Sequence, residues 1–242
     1  MRKTILLFSF FLLISCDENQ FLDLSGELIS KKITVPFFDK INISEGIELH
    51  IRDEAETKVE IVAGTNVIDK VTFLVLKNQL FIDASTATQL FQSYEPVKIY
   101  LSIDQLVSLY SSSQFNIYSE NILNFSHLNL QSGLFDDTAS GEFHLQVNCT
   151  SLVVEDNRAG FYKIEGNVNN LTVAFYNGNE RFDGSNLIAQ NVFIFQRSSN
   201  DISVNPQQQI TGTIYSTGNV ILFNNPPVID VQVLYQGQLI YH

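Results

Sequence analysis

Apolar and polar residues alternate in short runs along most of this chain, and almost nowhere do they recur at helical spacing. Ile47-Glu48-Leu49-His50-Ile51, Lys58-Val59-Glu60-Ile61-Val62, Val71-Thr72-Phe73-Leu74-Val75-Leu76, Leu80-Phe81-Ile82 and Val97-Lys98-Ile99-Tyr100-Leu101 are such runs. They are rich in β-branched and aromatic residues and are broken by Asn, Gly, Asp and Ser, the signature of strands with one buried face. No segment sustains apolar residues at i, i+3, i+4 and i+7 over three turns. The pattern predicts an all-β chain whose first half forms hairpins, with Lys77-Asn78 as a tight turn.

From about residue 106 the pattern becomes a loose repeat of strand, permissive turn residue and second short strand. The turn residues are Ser113, Gly133, Gly160, Gly178, Asn200, Gly218 and Gly237, separated by 20, 27, 18, 22, 18 and 19 residues. Gly and Asn reach positive φ at least cost, so positive φ is expected at these turns. Apolar residues follow two and four positions later, as in Tyr162 and Ile164, Ile202 and Val204, and Val220 and Leu222. A unit near 20 residues is one coil of a solenoid, which buries its apolar face only by stacking on its neighbours. Gln114, Asn179, Asp201, Asn219 and Gln238 stand just after a turn residue. At a coil spacing of about 4.8 Å their side chains could bond in a ladder, or they could reflect only the ordinary preference of turns for these residues.

The N-terminus carries a different signal. Arg2 and Lys3 precede an apolar segment from Ile5 to Ile14, and Leu13-Ile14-Ser15-Cys16 closes it. Ten helical residues span roughly 15 Å, too short for a hydrocarbon core of about 30 Å. The segment therefore reads as a signal peptide. Leu-Ile-Ser-Cys resembles the lipobox of bacterial lipoproteins, which implies cleavage after residue 15 and lipid on Cys16. The expected organisation is a signal peptide over 1–15, a lipidated tether over 16–27 and one domain over 28–242. Asp17-Glu18 resembles the surface-export signal of one Gram-negative group, whereas in other Gram-negative systems an Asp here favours the inner membrane. The expected address is the outer membrane or cell surface, with a periplasm-facing anchor as the alternative.

Losing Arg2 and Lys3 with the leader takes the formal charge from −12 to −14. Such a surface repels nucleic acid, so none is expected as a partner. The 45% of hydrophobic residues, with 19 Phe, suffice for one core. With Cys16 lipidated, Cys149 has no disulfide partner and is expected to be a small buried hydrophobe.

Ser199-Asn200-Asp201-Ile202-Ser203-Val204 and Thr217-Gly218-Asn219-Val220-Ile221-Leu222 resemble the Ser-Gly-Asp-Ile repeats of a bacterial domain family of unknown function, labelled "putative auto-transporter adhesin, head GIN domain". Phe38-Asp39-Lys40-Ile41-Asn42-Ile43 is similar to that family's first strand, and Val71 to Ile82 to its hairpin. The resemblance covers roughly residues 28–242 and departs from the pattern at Ser113 and Asn200, where Gly is usual. It implies a right-handed parallel β-helix-like fold, frequent lipid anchoring and no known catalytic residues or cofactor.

His50, His127, His144 and His242 do not sit at metal-ligand spacing with one another or with Cys, and no metal is expected. No nucleophile elbow, phosphate loop or paired-Cys motif is present. Acids on neighbouring coils, Asp136-Asp137, Glu155-Asp156, Glu180 and Asp201, could approach the roughly 5–9 Å that glycoside hydrolysis requires. They define the alternative function, an envelope polysaccharide-degrading enzyme. Asp137-Thr138-Ala139 resembles a bacterial O-glycosylation sequon centred on Thr138. The favoured reading is a non-catalytic, adhesin-like module for glycan or protein. Tyr110, Tyr162, Tyr176, Tyr215, Tyr235 and Tyr241, near successive turns, are candidates for an exposed aromatic strip or for core.

Overall fold

A computed structural model describes residues 25–87, 95–135 and 138–242. The predicted signal peptide and Cys16 lie outside the described residues. The first half contains β1 (Leu28–Ile33), β2 (Lys40–Ile43), β3 (Ile47–Asp53), β4 (Lys58–Gly64), β5 (Thr72–Leu76) and β6 (Gln79–Asp83). Next come β7 (Val97–Ile103), β8 (Ser108–Ser111), β9 (Ile117–Ser119) and β10 (His127–Ser132). Four long strands follow, β11 (Glu142–Asp156), β12 (Phe161–Phe175), β13 (Arg181–Gln196) and β14 (Ile202–Ile214). The last are β15 (Val220–Leu222), β16 (Val228–Val233) and β17 (Leu239–Tyr241). All join one sheet that curls into a solenoid.

Two parallel ladders run along it. The first passes through β6, β2, β8 and β10, then the second halves of β11 to β14, and ends on β16. The second passes through β7, β3 and β9, then the first halves of β11 to β14, and ends on β15 and β17. Alternation along each strand turns every second side chain inward, and register then stacks like on like. Leu80, Ile41, Leu109, Leu130, Val154, Val173 and Ile194 form one inner row. Ile99, Leu49, Ile117, Phe143, Tyr162, Phe182, Ile202 and Val220 form another. Nearly all of these are fully buried. Each contributes about 1.5–3 kcal/mol by leaving water.

The first half departs from a simple hairpin region. Antiparallel pairing is confined to β1 with β4, β4 with β7, and β5 with β6. Lys77 and Asn78 have φ of 50° and 61°, the two positive values that a type I′ hairpin turn demands. The remaining early strands already belong to the solenoid, and not in chain order: β2 lies between β6 and β8, and β3 between β7 and β9.

The turn residues also differ from expectation. Of the seven, only Gly133 and Gly178 have positive φ, 63° and 100°. Crowding is the other constraint. A Cβ on Gly218 would stand 2.0 Å from the Asn200 carbonyl oxygen of the coil beside it. A side-chain ladder is present in the last coils: Asn219 N and Nδ2 donate to Asp201 Oδ1 at 2.8 and 2.9 Å, and Gln238 N donates to Asn219 Oδ1 at 3.0 Å. Asn179 is not part of it, because Arg181 holds the position in register with Asp201.

Gly178→Ala, strained by φ and by an Arg158 carbonyl oxygen 2.1 Å from the new Cβ, should lose about 1–3 kcal/mol of unfolding free energy. Gly218→Ala should lose a similar amount through contact alone. Urea unfolding checks both, and midpoints equal to wild type would contradict the stacking geometry.

Candidate binding face

The outer side of the first ladder carries a broad aromatic face where β12, β13 and β14 adjoin. With Val192, Ile194 and Gln196 turned inward, β13 turns Phe193, Phe195 and the following Arg197 outward. Register places Thr172 and Thr211 beside Phe193, and Ala174 and Thr213 beside Phe195. Just past the strand ends, Tyr176 and Tyr215 flank Arg197, whose backbone N donates to Phe175 O while Tyr215 N donates to Gln196 O. The Phe195 ring centroid is 5.6 Å from that of Tyr176 and 4.9 Å from that of Tyr215, at tilts of 49° and 42°. Small Thr and Ala neighbours leave the rings proud of the sheet. Phe193 is 47%, Tyr215 41% and Tyr176 36% exposed. The Tyr176 hydroxyl donates to Glu155 Oε1 at 2.6 Å, and Gln131 Nε2 donates to Glu155 Oε2 at 2.8 Å. Partial burial and that carboxylate push the Tyr176 hydroxyl up to about 12. The exposed Arg197 side chain makes no hydrogen bond or ion pair among the described residues.

The six tyrosines of the predicted strip therefore divide. Tyr176 and Tyr215 join the face, and Tyr235 and Tyr241 are exposed near the final coil. Tyr162 is core, stacked on Phe143 at 4.5 Å, and Tyr110 is covered by Phe135 at 5.4 Å. Phe193, Phe195 and Arg197 were missed. Their signal was present, because Val192-Phe193-Ile194-Phe195 is apolar at both alternate positions, as in a strand whose two faces both have work.

A second outer row lies on the other ladder. Tyr100, His50, Tyr118 and His144 stack at 4.7, 5.2 and 5.4 Å with interplanar angles of 21°, 29° and 17°. His50 Nδ1 is 2.6 Å from Glu120 Oε1 and its Nε2 is 2.9 Å from Glu48 Oε1, while His144 Nε2 is 2.8 Å from Glu142 Oε2. Near-parallel rings cover one another's faces and offer a ligand only their edges. This row ties coils together. The face on β12–β14, with tilted and separated rings, is the better platform.

The candidate catalytic acids do not share an open cleft. Glu155 points outward to Tyr176, and Asp201 belongs to the side-chain ladder. Asp156 and Glu180 are fully buried. Asp156 Oδ1 accepts from Asn157 N and Arg158 N, and Oδ2 accepts from Gly160 N and Tyr162 Oη. Both Glu180 carboxyl oxygens are buried without a hydrogen-bond partner. Burial raises Glu180 to about 8, with help from the charge of Asp156, and raises Asp156 to about 6 against its four donors. Asp136 and Asp137 lie outside the described residues. Cys149 is buried and free, its thiol pushed up to about 11 by burial. His144 Nε2 pairs with Glu142 Oε2. Thr138 is exposed, and its Oγ1 donates to Ser112 O at 2.9 Å. No group of three or more His, Cys, Asp or Glu residues stands close enough to hold a metal among the described residues.

These features define a parallel β-solenoid that presents aromatic side chains on a flat outer sheet. The chain belongs to the family described as "putative auto-transporter adhesin, head GIN domain", whose model matches residues 37–226. Its fold is similar to that of a "putative adhesin" from Bacteroides fragilis, 20% identical, with a TM-score of 0.80 over 90% of this chain and 98% of that one. It is also similar to a "putative lipid binding protein" from Parabacteroides distasonis, 15% identical, with a TM-score of 0.66 over 90% and 97% of the two chains. A "putative adhesin" from Parabacteroides merdae, 16% identical, aligns with a TM-score of 0.55 over the same shares. None of the curated proteins compared with the chain matches it.

The buried acids give the fold a pH dependence. Glu180 holds its proton more tightly in the fold, at about 8 against 4.5, so the folded state binds more protons between those values. The stability this confers is complete below 4.5 and is lost as pH rises through about 8. Glu180→Gln should match the wild type in acid and exceed its unfolding free energy above pH 8. Urea titrations across this range check it, and a variant whose stability falls in parallel with wild type would contradict the assignment.

Proposed function

We propose that the protein is a lipid-anchored envelope lipoprotein, carried on the outer membrane or cell surface of a Gram-negative bacterium, that binds a partner without chemically altering it. The face on β12–β14 is the contact surface. The observation that carries this reading is a cluster of exposed rings on a rigid parallel sheet. Aromatic residues and Arg supply most of the energy at binding surfaces, and a fixed backbone lowers the ordering cost on association.

Three further features support it. The chain belongs to a family described as "putative auto-transporter adhesin, head GIN domain", and three of its structural neighbours carry the name adhesin. Leu13-Ile14-Ser15-Cys16 resembles a lipobox, so lipid on Cys16 would hold the protein from its N-terminus. From Ser25 the chain is pinned beside β4, with Asn66 N donating to Ser25 O at 2.9 Å. β13 lies five ladder steps from β2, roughly 24 Å at about 4.8 Å per step. The aromatic face thus stands away from the end of the solenoid that holds Ser25. The enzymatic alternative has weaker support, because Asp156 and Glu180 are sealed from solvent.

Detergent phase partitioning and protease shaving of intact cells test anchor and address. Wild type should enter the detergent phase and be cleaved on intact cells, and Cys16→Ser should remain in the aqueous phase. Equal partitioning of the two forms would refute the anchor. Adherence of expressing cells to host or envelope surfaces should fall at least tenfold in Phe193→Ala/Tyr215→Ala at unchanged surface amount. Unaltered adherence would refute the face.

A further inference from the structure

We infer that the face on β12–β14 takes a linear, carboxylate-bearing glycan laid along the solenoid axis, with its sugar rings on Tyr176 and Tyr215 and its carboxylate on Arg197. This rests on the reading of that face as the contact surface and names the chemistry of its ligand.

Three observations combine. The first is spacing. Tyr176, Arg197 and Tyr215 follow one another on three successive coils, so the row advances about 4.8 Å per step. That is close to the advance of one sugar residue in an extended β-linked chain. An aromatic, a cation and an aromatic therefore match three consecutive sugars. The second is orientation. Phe195 meets its two tyrosine neighbours at 49° and 42°, so the tyrosine rings are not sealed face to face as in the Tyr100–His50–Tyr118–His144 row. A pyranose packs its axial C–H groups on an open ring face and keeps its hydroxyls in water, and Thr213, two residues before Tyr215 on the same outer face, is a neighbour able to bond those hydroxyls.

The third is charge. The chain carries 26 acidic and 14 basic residues, yet Arg197 is exposed without an acidic partner among the described residues. Arg181, by comparison, lies over the Phe161 ring at 5.1 Å. A guanidinium presents paired donors that match a carboxylate. The nearest acids of the face do not compete for it. Glu155 is held by Tyr176 and Gln131, and Asp230 follows Thr211 in the Phe193 row, away from the tyrosine end. The net negative charge disfavours densely charged polymers. One carboxylate on alternate sugars presents one anion to one guanidinium.

Titration calorimetry with the detergent-solubilised full chain tests this with two probes of equal length. One is a hexasaccharide of alternating N-acetylglucosamine and glucuronate, and the other is a neutral hexasaccharide of N-acetylglucosamine. The acidic probe should bind at least tenfold more tightly at low salt, and the preference should shrink as salt rises. Arg197→Gln should abolish the preference, leaving both probes at the affinity of the neutral one. Tyr215→Ala should weaken both probes at least tenfold, and Tyr118→Ala on the other row should change neither. Tyr215→Leu, which keeps the bulk and removes the ring face, guards against a folding defect, with thermal midpoints recorded for each variant. Equal affinity for the two probes, or a preference that survives Arg197→Gln, overturns the carboxylate assignment. Acidic-probe binding that is indifferent to both Tyr215 variants overturns the site. No binding of either saccharide, while adherence still depends on Phe193 and Tyr215, overturns the glycan and leaves the contact face standing. Loss of both dependences removes the functional reading as well.

Discussion

Every feature of this molecule depends on coils stacking in parallel, in register, at the spacing of neighbouring β-strands. At about 4.8 Å each residue sits directly over its counterpart in the next coil. An inward Leu or Ile is then buried by the apolar residue above and the one below, as in the row from Leu80 to Ile194. The same closeness leaves Gly218 no room for a side chain beside the Asn200 carbonyl. It also compels outward rings either to stack, as His50 and Tyr118 do, or to tilt apart, as Phe195 and Tyr215 do. Where the strands end, buried polar side chains close the corner. Ser198 Oγ donates to Glu180 O at 2.6 Å, and Gln196 bonds both Ser198 N and Asn200 O. Without such partners the turn carbonyls and amides would be buried unsatisfied.

Strand alternation and the spacing of turn residues were legible in the sequence because both are local. Val220 and Leu222 point inward for the same reason that Ile202 and Val204 do, and two-residue alternation reveals it. What the sequence concealed was stacking order and register. The insertion of β2 and β3 between later strands leaves no local trace, since the same alternation suits either neighbour. The turn residues looked like one column, yet Gly178 stands two residues before Glu180, which is the residue in register with Asn200. Asp156 and Glu180 read as candidate catalytic acids on neighbouring coils, and their burial at the corner is a tertiary outcome. The tyrosine strip was half visible for the same reason. Proximity to a turn does not fix the face, and Tyr162 points into the core while Tyr176 points out.

The face on β12–β14 gains its character from the rigidity beneath it. Long ladder pairings hold β12, β13 and β14 together over both halves of the coil. A ring on such a sheet loses little further freedom on binding, so its contact area is converted to affinity with small entropic loss. On the proposed reading the acidic field around it would favour selectivity, because one unpaired guanidinium in a negative surface would admit an anion only where geometry brings it to that point. The two outer rows divide the labour. Stacked rings and His–Glu contacts on the β3 side tie coils to one another, and tilted rings on the β13 side stay exposed.

Hydroxyl-radical footprinting of the full chain, with and without the alternating acidic hexasaccharide, tests the central claim most directly, because aromatic rings report their own solvent exposure. The account predicts protection of Tyr176 and Tyr215 on addition of the saccharide, with Tyr100 and Tyr118 unchanged. Protection of Tyr100 and Tyr118, with Tyr176 and Tyr215 left as reactive as in the free protein, would contradict it.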